Sequence, residues 1–255
     1  MGRNTVSVDA FARLGVTEKC VALRQRTCLV DMIRAGAEDA DWRVRVAAVG
    51  NPGAPEDVVR DGASDEDSFV RAAAVGNPSA PAEVIRAGAG DRSRLVRRAA
   101  VGSQGTPAEV IRAGARDEDP LVRAAAVGNP RAPAEVIRTG GKDKEWRVRR
   151  AAVGSQGAPE DVMRGGAGDA VWLVRRAAVG NPSAPGDVIA VGARDRSTYV
   201  RRAVASNPRV SEEAAERLSR SKTREIQRAL AENPAVPERI RVVAAMRAGT
   251  LFGSA

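Results

Sequence analysis

Tryptophan and arginine recur at two positions that lie four residues apart, and together they could bind a nucleic acid strand. Trp146 precedes Arg150, and Trp172 precedes Arg176. An indole ring can stack on a base, and a nearby guanidinium can bind a phosphate. The residues of these two columns that could contact a partner are Trp42, Arg94, Arg98, Trp146, Arg150, Trp172, Arg176, Arg202 and Arg228. The alternative is that each tryptophan buries its ring at a repeat junction, while the arginine side chain extends past it to solvent.

The turn that follows these residues also varies from unit to unit. Six units have Asn-Pro, and two have Ser-Gln-Gly instead, at residues 103–105 and 155–157. Near-identical units that differ by a dipeptide are typical of modular readers, in which one repeat recognises one base. The residues of these specificity dyads would be Ser103, Gln104, Ser155 and Gln156. The alternative, which we favour, is a second turn of equal length in which the glycine compensates for the missing proline.

Both features belong to a 26-residue repeat that returns seven times and then once more in degraded form. Self-similarity at such a period indicates a solenoid, in which each unit buries its apolar face against its neighbours. The sequence therefore predicts an all-α solenoid of about eight two-helix repeats, roughly 70 Å long at the usual separation of packed helices.

Each repeat predicts two short helices. The first is expected to begin at an aspartate N-cap, such as Asp91, and to end at a glycine in the left-handed conformation, such as Gly102. The second is expected to begin at a proline, such as Pro107, whose missing N–H costs nothing in a first turn. On a helical wheel, the first helix has a core face with Leu95, Val96, Ala99 and Ala100, and an opposite face with Arg94, Arg98 and the edge of Val101.

Two more arginine columns have structural explanations. One extends from Arg45 to Arg201 and could clamp phosphates, but we favour a bridge to the aspartate of its own or the next repeat. The arginine and aspartate columns end together, at Gln227 and Ser221, as a paired set would. The other column lies on the second helix and follows an acidic residue by three positions in most units, which predicts a weak surface pair within that helix.

The boundaries of the repeats divide the chain into three parts. Residues 1–38 form an N-terminal cap with a degenerate repeat, residues 39–220 form seven regular repeats, and residues 221–255 form a degenerate repeat, a C-terminal cap and a flexible tail. The net charge of +9 favours an anionic partner, although the excess of arginine over lysine also fits the codon bias of a GC-rich bacterial genome. We expect a cytoplasmic monomer, because neither a signal peptide nor an apolar run long enough to span a bilayer is present.

The repeat pattern resembles the leucine-rich repeat variant family. The resemblance is carried by Asp65, Val70, Arg71, Asn77, Pro78, Pro81, Val84, Ile85 and their equivalents. It implies a right-handed superhelix of short helices, one of which can be of the tighter 3₁₀ type, and the segment from Asp to Val-Arg is also similar to HEAT repeats. Some members of the family hold an iron–sulfur cluster with four cysteines. This chain has only Cys20 and Cys28, so we expect reduced thiols and no metal or cofactor.

These features predict a non-catalytic scaffold that binds DNA or RNA, with no small-molecule substrate. A scaffold that docks an acidic peptide or protein subunit on the same surface is the alternative. Catalysis has little support, because the chain has no histidine and its carboxylates are spread at the repeat spacing. One enzyme class stays open, since some alkylated-base DNA glycosylases use HEAT-like solenoids. Trp172 with Asp169 or Asp195 would then form the site.

Overall fold

The computed structural model describes residues 8–25 and 28–250, which form nineteen α-helices joined by short turns, with no strand among them. The chain divides into two compact units, residues 1–131 and 132–255. The helices of the first unit are α1 (Val8–Ala12), α2 (Val16–Leu23), α3 (Val30–Ala37), α4 (Trp42–Val49), α5 (Glu56–Gly62), α6 (Ser68–Val75), α7 (Ala82–Gly88), α8 (Arg94–Gly102), α9 (Ala108–Gly114) and α10 (Pro120–Val127). Those of the second are α11 (Ala134–Gly140), α12 (Trp146–Gly154), α13 (Glu160–Ala167), α14 (Trp172–Gly180), α15 (Gly186–Gly192), α16 (Thr198–Ala205), α17 (Glu212–Ser219), α18 (Arg224–Glu232) and α19 (Glu238–Ala248).

Each unit is a stack of two-helix repeats. In the first unit the first helices of successive repeats, α4, α6, α8 and α10, pack side by side, and α5, α7 and α9 pack against them. In the second unit α12, α14, α16 and α18 pack in the same way, with α13, α15 and α17 against them. The all-α solenoid predicted from the repeat is thus confirmed. Both helices of the regular repeats are α-helices, so neither takes the 3₁₀ form.

The helices begin later than the sequence predicts. The first helix of a repeat begins three residues after the aspartate that was expected as its N-cap: α6, for example, begins at Ser68 with Asp67 as the N-cap. Asp65 instead accepts a hydrogen bond from the Asp67 backbone N–H, 2.8 Å away, and shapes the turn before the helix. The prolines are also displaced by one position, because Pro107 is the N-cap of α9 rather than its first residue.

The glycines that end the first helices do not have the predicted left-handed conformation. Gly50 has φ −79° and Gly128 has φ −83°, which are right-handed helical values, and Gly102 lies within α8. Steric demand for glycine is found at the end of the second helix instead. A Cβ atom on Gly88 would lie 2.6 Å from a γ-carbon of Val75, so the two helices of one repeat can approach closely only at a glycine.

The core contains residues from both helices of each repeat. Val96 and Ala100 of α8 are fully buried, as the helical wheel predicts, whereas Leu95 and Ala99 are only partly buried. Val101 was expected at the edge of the exposed face but is 1% exposed. The wheel failed there because it considers one helix alone, whereas the last turn of α8 is covered by the second helix of the same repeat.

An arginine–aspartate pair joins successive regular repeats at five junctions within the units. The arginine Nε and Nη2 donate to the two carboxylate oxygens of the following repeat's aspartate at 2.6–2.8 and 3.0–3.1 Å. Its Nη1 donates to two backbone carbonyls at the start of its own repeat, at 2.8–3.3 Å. The predicted bridge is therefore confirmed for Arg45–Asp65, Arg71–Asp91, Arg97–Asp117, Arg149–Asp169 and Arg175–Asp195.

The asparagine of the Asn-Pro turn forms a second connection between repeats. Asn77 Nδ2 donates to the carbonyls of Val49 and Asn51 in the preceding repeat, at 2.7 and 2.9 Å, and its Oδ1 accepts from the backbone N–H of Ser79. The side chain is 2% exposed. Because a buried amide without partners would destabilise the fold, this turn fixes the relative position of neighbouring repeats.

We predict that Asp91→Ala strongly destabilises the protein. The Arg71 and Asp91 side chains are only 9% and 14% exposed, and the hydrogen bond from Arg71 lowers the pKa of Asp91 although partial burial raises it. Removing the carboxylate leaves a nearly buried guanidinium uncompensated, which costs about 3–5 kcal/mol. The control is Glu109→Ala, which removes an exposed pair with Arg86 that solvent screens, so it should change the stability little. Equal urea denaturation midpoints for the two variants would contradict this role.

Two glycine substitutions should have effects of opposite sign on the free energy of unfolding. Gly88→Ala places a methyl group against Val75 and should destabilise by about 1–3 kcal/mol, the usual range for overpacking. Gly102→Ala meets no atom within 4 Å and replaces a helical glycine, so it should stabilise by about 0.5–1 kcal/mol. Thermal unfolding of both variants beside the unchanged protein measures the difference, and destabilisation by Gly102→Ala would show that the position has another structural role.

Candidate nucleic-acid interface

The arginines of the eighth repeat position face solvent in the second unit. Arg150 on α12, Arg176 on α14 and Arg202 on α16 are exposed, and in the described residues none of them has an acidic partner. Arg98 on α8 of the first unit is in the same state. Arg228 is neutralised, since it pairs with Glu232 at 2.9 Å. The second unit therefore presents three successive unpaired arginines on three adjacent first helices.

The tryptophans contact aromatic side chains of the following repeat. Trp172 stacks on Tyr199 with ring centroids 4.8 Å apart and an angle of 26° between the ring planes. Trp42 stacks on Phe69 in the same manner, at 5.1 Å and 27°. The rings thus cross a repeat junction, as one interpretation of the sequence expects. They nonetheless stay in contact with solvent, because Trp42 is 39% and Tyr199 is 60% exposed.

The predicted contacts of tryptophan with the eighth-position arginines are not found in the described residues. The guanidinium over the Trp146 ring belongs to Arg147, 4.7 Å from the centroid, and not to Arg150. Trp172 has Tyr199 as its ring partner, and not Arg176. Trp42 and Trp172 instead face an aromatic ring of the following repeat, an arrangement that aromatic pairs favour.

The fifth repeat position supplies functional candidates that the sequence interpretation missed. Phe69, Arg147 and Tyr199 all occupy it, each directly after a residue of the fourth position. The signal was available, because this position also varies between units while its surroundings stay constant. It was overlooked since residues one apart do not face each other on a single helix, although they can meet across a junction.

The remaining arginine columns are neutralised by acidic residues. On the second helices one partner belongs to the next repeat, as in Arg138–Asp161 at 3.2 Å and Arg164–Asp187 at 2.7 Å. A pair within one helix is also found, but at a spacing of four instead of the predicted three, in Arg60–Glu56 and Arg164–Glu160. Arg94, at the fourth position, is paired with Asp119 of the next repeat at 3.3 Å.

Neither a metal site nor a redox centre is evident in the described residues. No cluster of three potential metal ligands occurs within them, and no helix there is long and apolar enough to cross a membrane. Cys20 and Cys28 are free thiols, and burial raises the pKa of Cys28. Asp169 and Asp195, the candidate catalytic carboxylates, are each bonded to an arginine of the inter-repeat pairs.

Comparison with solved structures identifies the architecture. The chain is similar to a leucine-rich repeat variant described as having a novel repetitive protein structural motif, with a TM-score of 0.52 and 23% sequence identity over 94% of this chain and 86% of the other. The chain has the leucine-rich repeat variant fold. No family model matches the sequence, and a search of curated proteins gives no match. At this identity the likeness concerns the fold alone.

The Ser-Gln-Gly segment forms a turn that is closed by a hydrogen bond at the same spacing as in the Asn-Pro turns. The backbone N–H of Ala158 donates to the Ser155 carbonyl at 3.1 Å, just as Ala184 donates to Asn181 at 2.9 Å. Ser103 and Ser155 are 9% and 8% exposed, and their carbonyls accept from the asparagine amides of the next repeats. Gln104 and Gln156 are exposed. Recognition of a base by these two serines would therefore require the turn to open.

Net charge is distributed very unevenly between the two units of the chain. Residues 132–255 contain 22 basic and 14 acidic residues, whereas residues 1–131 contain 19 and 18. Nearly all of the net charge of +9 therefore lies in the second unit. The same unit holds the three unpaired arginines and the Trp172–Tyr199 pair, so the features expected of an anion-binding surface coincide there.

Proposed function

We propose that this protein is a non-catalytic repeat scaffold that binds a nucleic acid strand on the first helices of its second unit. The observation that carries the proposal is that Arg150, Arg176 and Arg202 are exposed and unpaired in the described residues, whereas Arg149 and Arg175, which join repeats, have acidic partners. Three uncompensated charges at the spacing of successive helices suit a partner whose own charges repeat along a chain.

The aromatic side chains favour nucleic acid over an acidic peptide. Tyr199 is 60% exposed while it stacks on Trp172, so its ring extends an aromatic surface next to the arginines. Nucleic acid bases present planar faces that stack on such a surface, and single strands leave those faces free. An acidic peptide would gain from the arginines but has no comparable use for the rings. Docking of an acidic protein is therefore the second candidate.

A catalytic role as a DNA glycosylase lacks support from the carboxylates. The Asp169 carboxylate binds Arg149 through both oxygens and also accepts from the Val171 backbone N–H. Asp195 is bonded in the same way to Arg175 and to Ser197. A general base has to have a free oxygen that reaches the substrate or its water, and these two carboxylates are used to join repeats.

The first prediction for this surface concerns the salt dependence of binding. Arg150→Ala combined with Arg176→Ala should weaken binding of a labelled single-stranded oligonucleotide and reduce the slope of log K against log salt by about 1.4, the value for two phosphate contacts. The substitution suits the fold, since Ala72 and Ala124 occupy the same repeat position. Fluorescence anisotropy at several salt concentrations measures the slope.

The matched control is Arg138→Ala combined with Arg164→Ala. It removes the same charge from the same unit, but from side chains that already pair with Asp161 and Asp187. Its slope should stay close to that of the unchanged protein. If both double variants lower the slope equally, binding is due to net charge and not to the unpaired arginines. If the unchanged protein binds no oligonucleotide at low salt, the proposed function is wrong.

The second prediction separates stacking from charge. Tyr199→Ala should reduce oligonucleotide affinity by about 1–3 kcal/mol, the usual contribution of one stacked base, without changing the salt slope. Leu121→Ala is a suitable control, because it occupies the same repeat position in the first unit and is 38% exposed. An acidic peptide used in place of the oligonucleotide should not distinguish Tyr199→Ala from the unchanged protein. Loss of peptide affinity alone would favour the protein scaffold.

A further inference from the structure

Arg201 is the arginine of the inter-repeat column whose aspartate partner is replaced by serine. In the chain, the carboxylate of the following repeat lies 20 residues after each paired arginine, and residue 221 is Ser221. Arg201 keeps the other bonds of the column: its Nη1 donates to the carbonyls of Asp195 and Arg196, at 2.6 and 3.1 Å. Its guanidinium is therefore fixed at the junction by the same two contacts as in the paired repeats.

The donors that elsewhere bind the carboxylate have no acidic partner here. Arg201 Nη2 contacts the Thr198 hydroxyl at 3.2 Å, and no acidic group within the described part of the chain forms an ion pair with this guanidinium. Ser221 performs only one of the two functions of the aspartate. Its Oγ accepts from the Thr223 backbone N–H at 3.2 Å, which shapes the turn before α18, but it brings no negative charge.

We propose that Arg201 and Ser221 form a phosphate-binding site that takes one phosphate of the bound strand. A phosphate presents two oxygens to a guanidinium with the same geometry as a carboxylate, so it can occupy the place that Asp195 has beside Arg175. Arg201 and Ser221 both keep partial contact with solvent. Arg220 and Lys222 flank the serine in the chain and are exposed, so the surroundings favour an anion.

This inference rests on the proposed function and extends it. Arg202, the adjacent residue, is one of the three exposed arginines of the candidate interface. The proposed site therefore lies on the same helix, α16, as one arginine of the candidate interface. The arginine that binds an aspartate of the next repeat elsewhere in the column would then bind a phosphate of the partner at this repeat.

The test restores the missing carboxylate. Ser221→Asp should supply Arg201 with an internal partner, raise the melting temperature and weaken oligonucleotide binding by about tenfold, the value of one charge-assisted contact. The charge-matched control is Ser183→Asp, which adds the same charge at an exposed turn of the second unit and should have a smaller effect. A second variant, Arg201→Gln, follows Gln227, which occupies the same column and donates to the Ser219 and Ser221 carbonyls.

Inorganic phosphate tests the site without the oligonucleotide. Thermal unfolding in sodium phosphate, compared with sodium chloride at equal ionic strength, should stabilise the unchanged protein and Ser183→Asp more than Ser221→Asp or Arg201→Gln. Any general effect of phosphate on protein hydration is common to all four proteins. An equal response of all four overturns the site, whether or not the protein binds nucleic acid.

The two binding experiments distinguish the possible failures. If phosphate stabilises only the proteins with an open site, but Ser221→Asp and Ser183→Asp bind the oligonucleotide equally, then the site takes free phosphate and its assignment to the strand is wrong. A second outcome is that Arg150→Ala combined with Arg176→Ala leaves oligonucleotide binding unchanged, while Ser221→Asp weakens it more than Ser183→Asp does. In that case the proposed interface on the first helices is wrong, and the phosphate site at Arg201 is supported.

Discussion

A nearly buried guanidinium at the junctions of the regular repeats is the constraint on which the construction of both units depends. Such a charge destabilises the fold unless it is neutralised and its donors are satisfied. The carbonyls of its own repeat satisfy only Nη1, so the aspartate of the next repeat must bind Nε and Nη2. A repeat therefore completes its own hydrogen bonds only when its neighbour is folded beside it, which couples the stability of adjacent repeats.

This use of aspartate has consequences for the surface charge. The aspartates that join repeats form ion pairs with arginines of the preceding repeat. Acidic residues of the second helices pair with arginines across the junction in the same way. Arginines outside these columns have few acidic residues left to pair with. The eighth position is such a case, because the fold accepts valine, alanine or arginine there. Its charge in the second unit is consequently not a requirement of folding.

The repeat period, the number of helices per repeat and the aspartate column that pairs with the seventh-position arginine could all be predicted from the sequence, because each recurs in register. The helix starts could not. Asp65 is a favourable N-cap by type, but its carboxylate is bound to Arg45 and to the backbone N–H of Asp67, so the helix begins beyond it. The ring partner of Trp172 was missed for a related reason. A helical wheel contains only one helix, whereas Tyr199 belongs to the next repeat.

The replacement of Asp by Ser at residue 221 connects the fold to the candidate site. Where the aspartate is present, it neutralises the arginine and accepts its hydrogen bonds, so no donor is left for an external partner. Where it is absent, the Asp195 and Arg196 carbonyls still hold the arginine in place. The guanidinium is therefore positioned, but no carboxylate in the described part of the chain neutralises it. An arginine fixed in advance loses little conformational freedom on binding, whereas the exposed side chain of Arg202 has no acidic partner in the described residues to hold it. The end of the arginine–aspartate series is thus the place where this architecture can exchange an internal counter-ion for an external one.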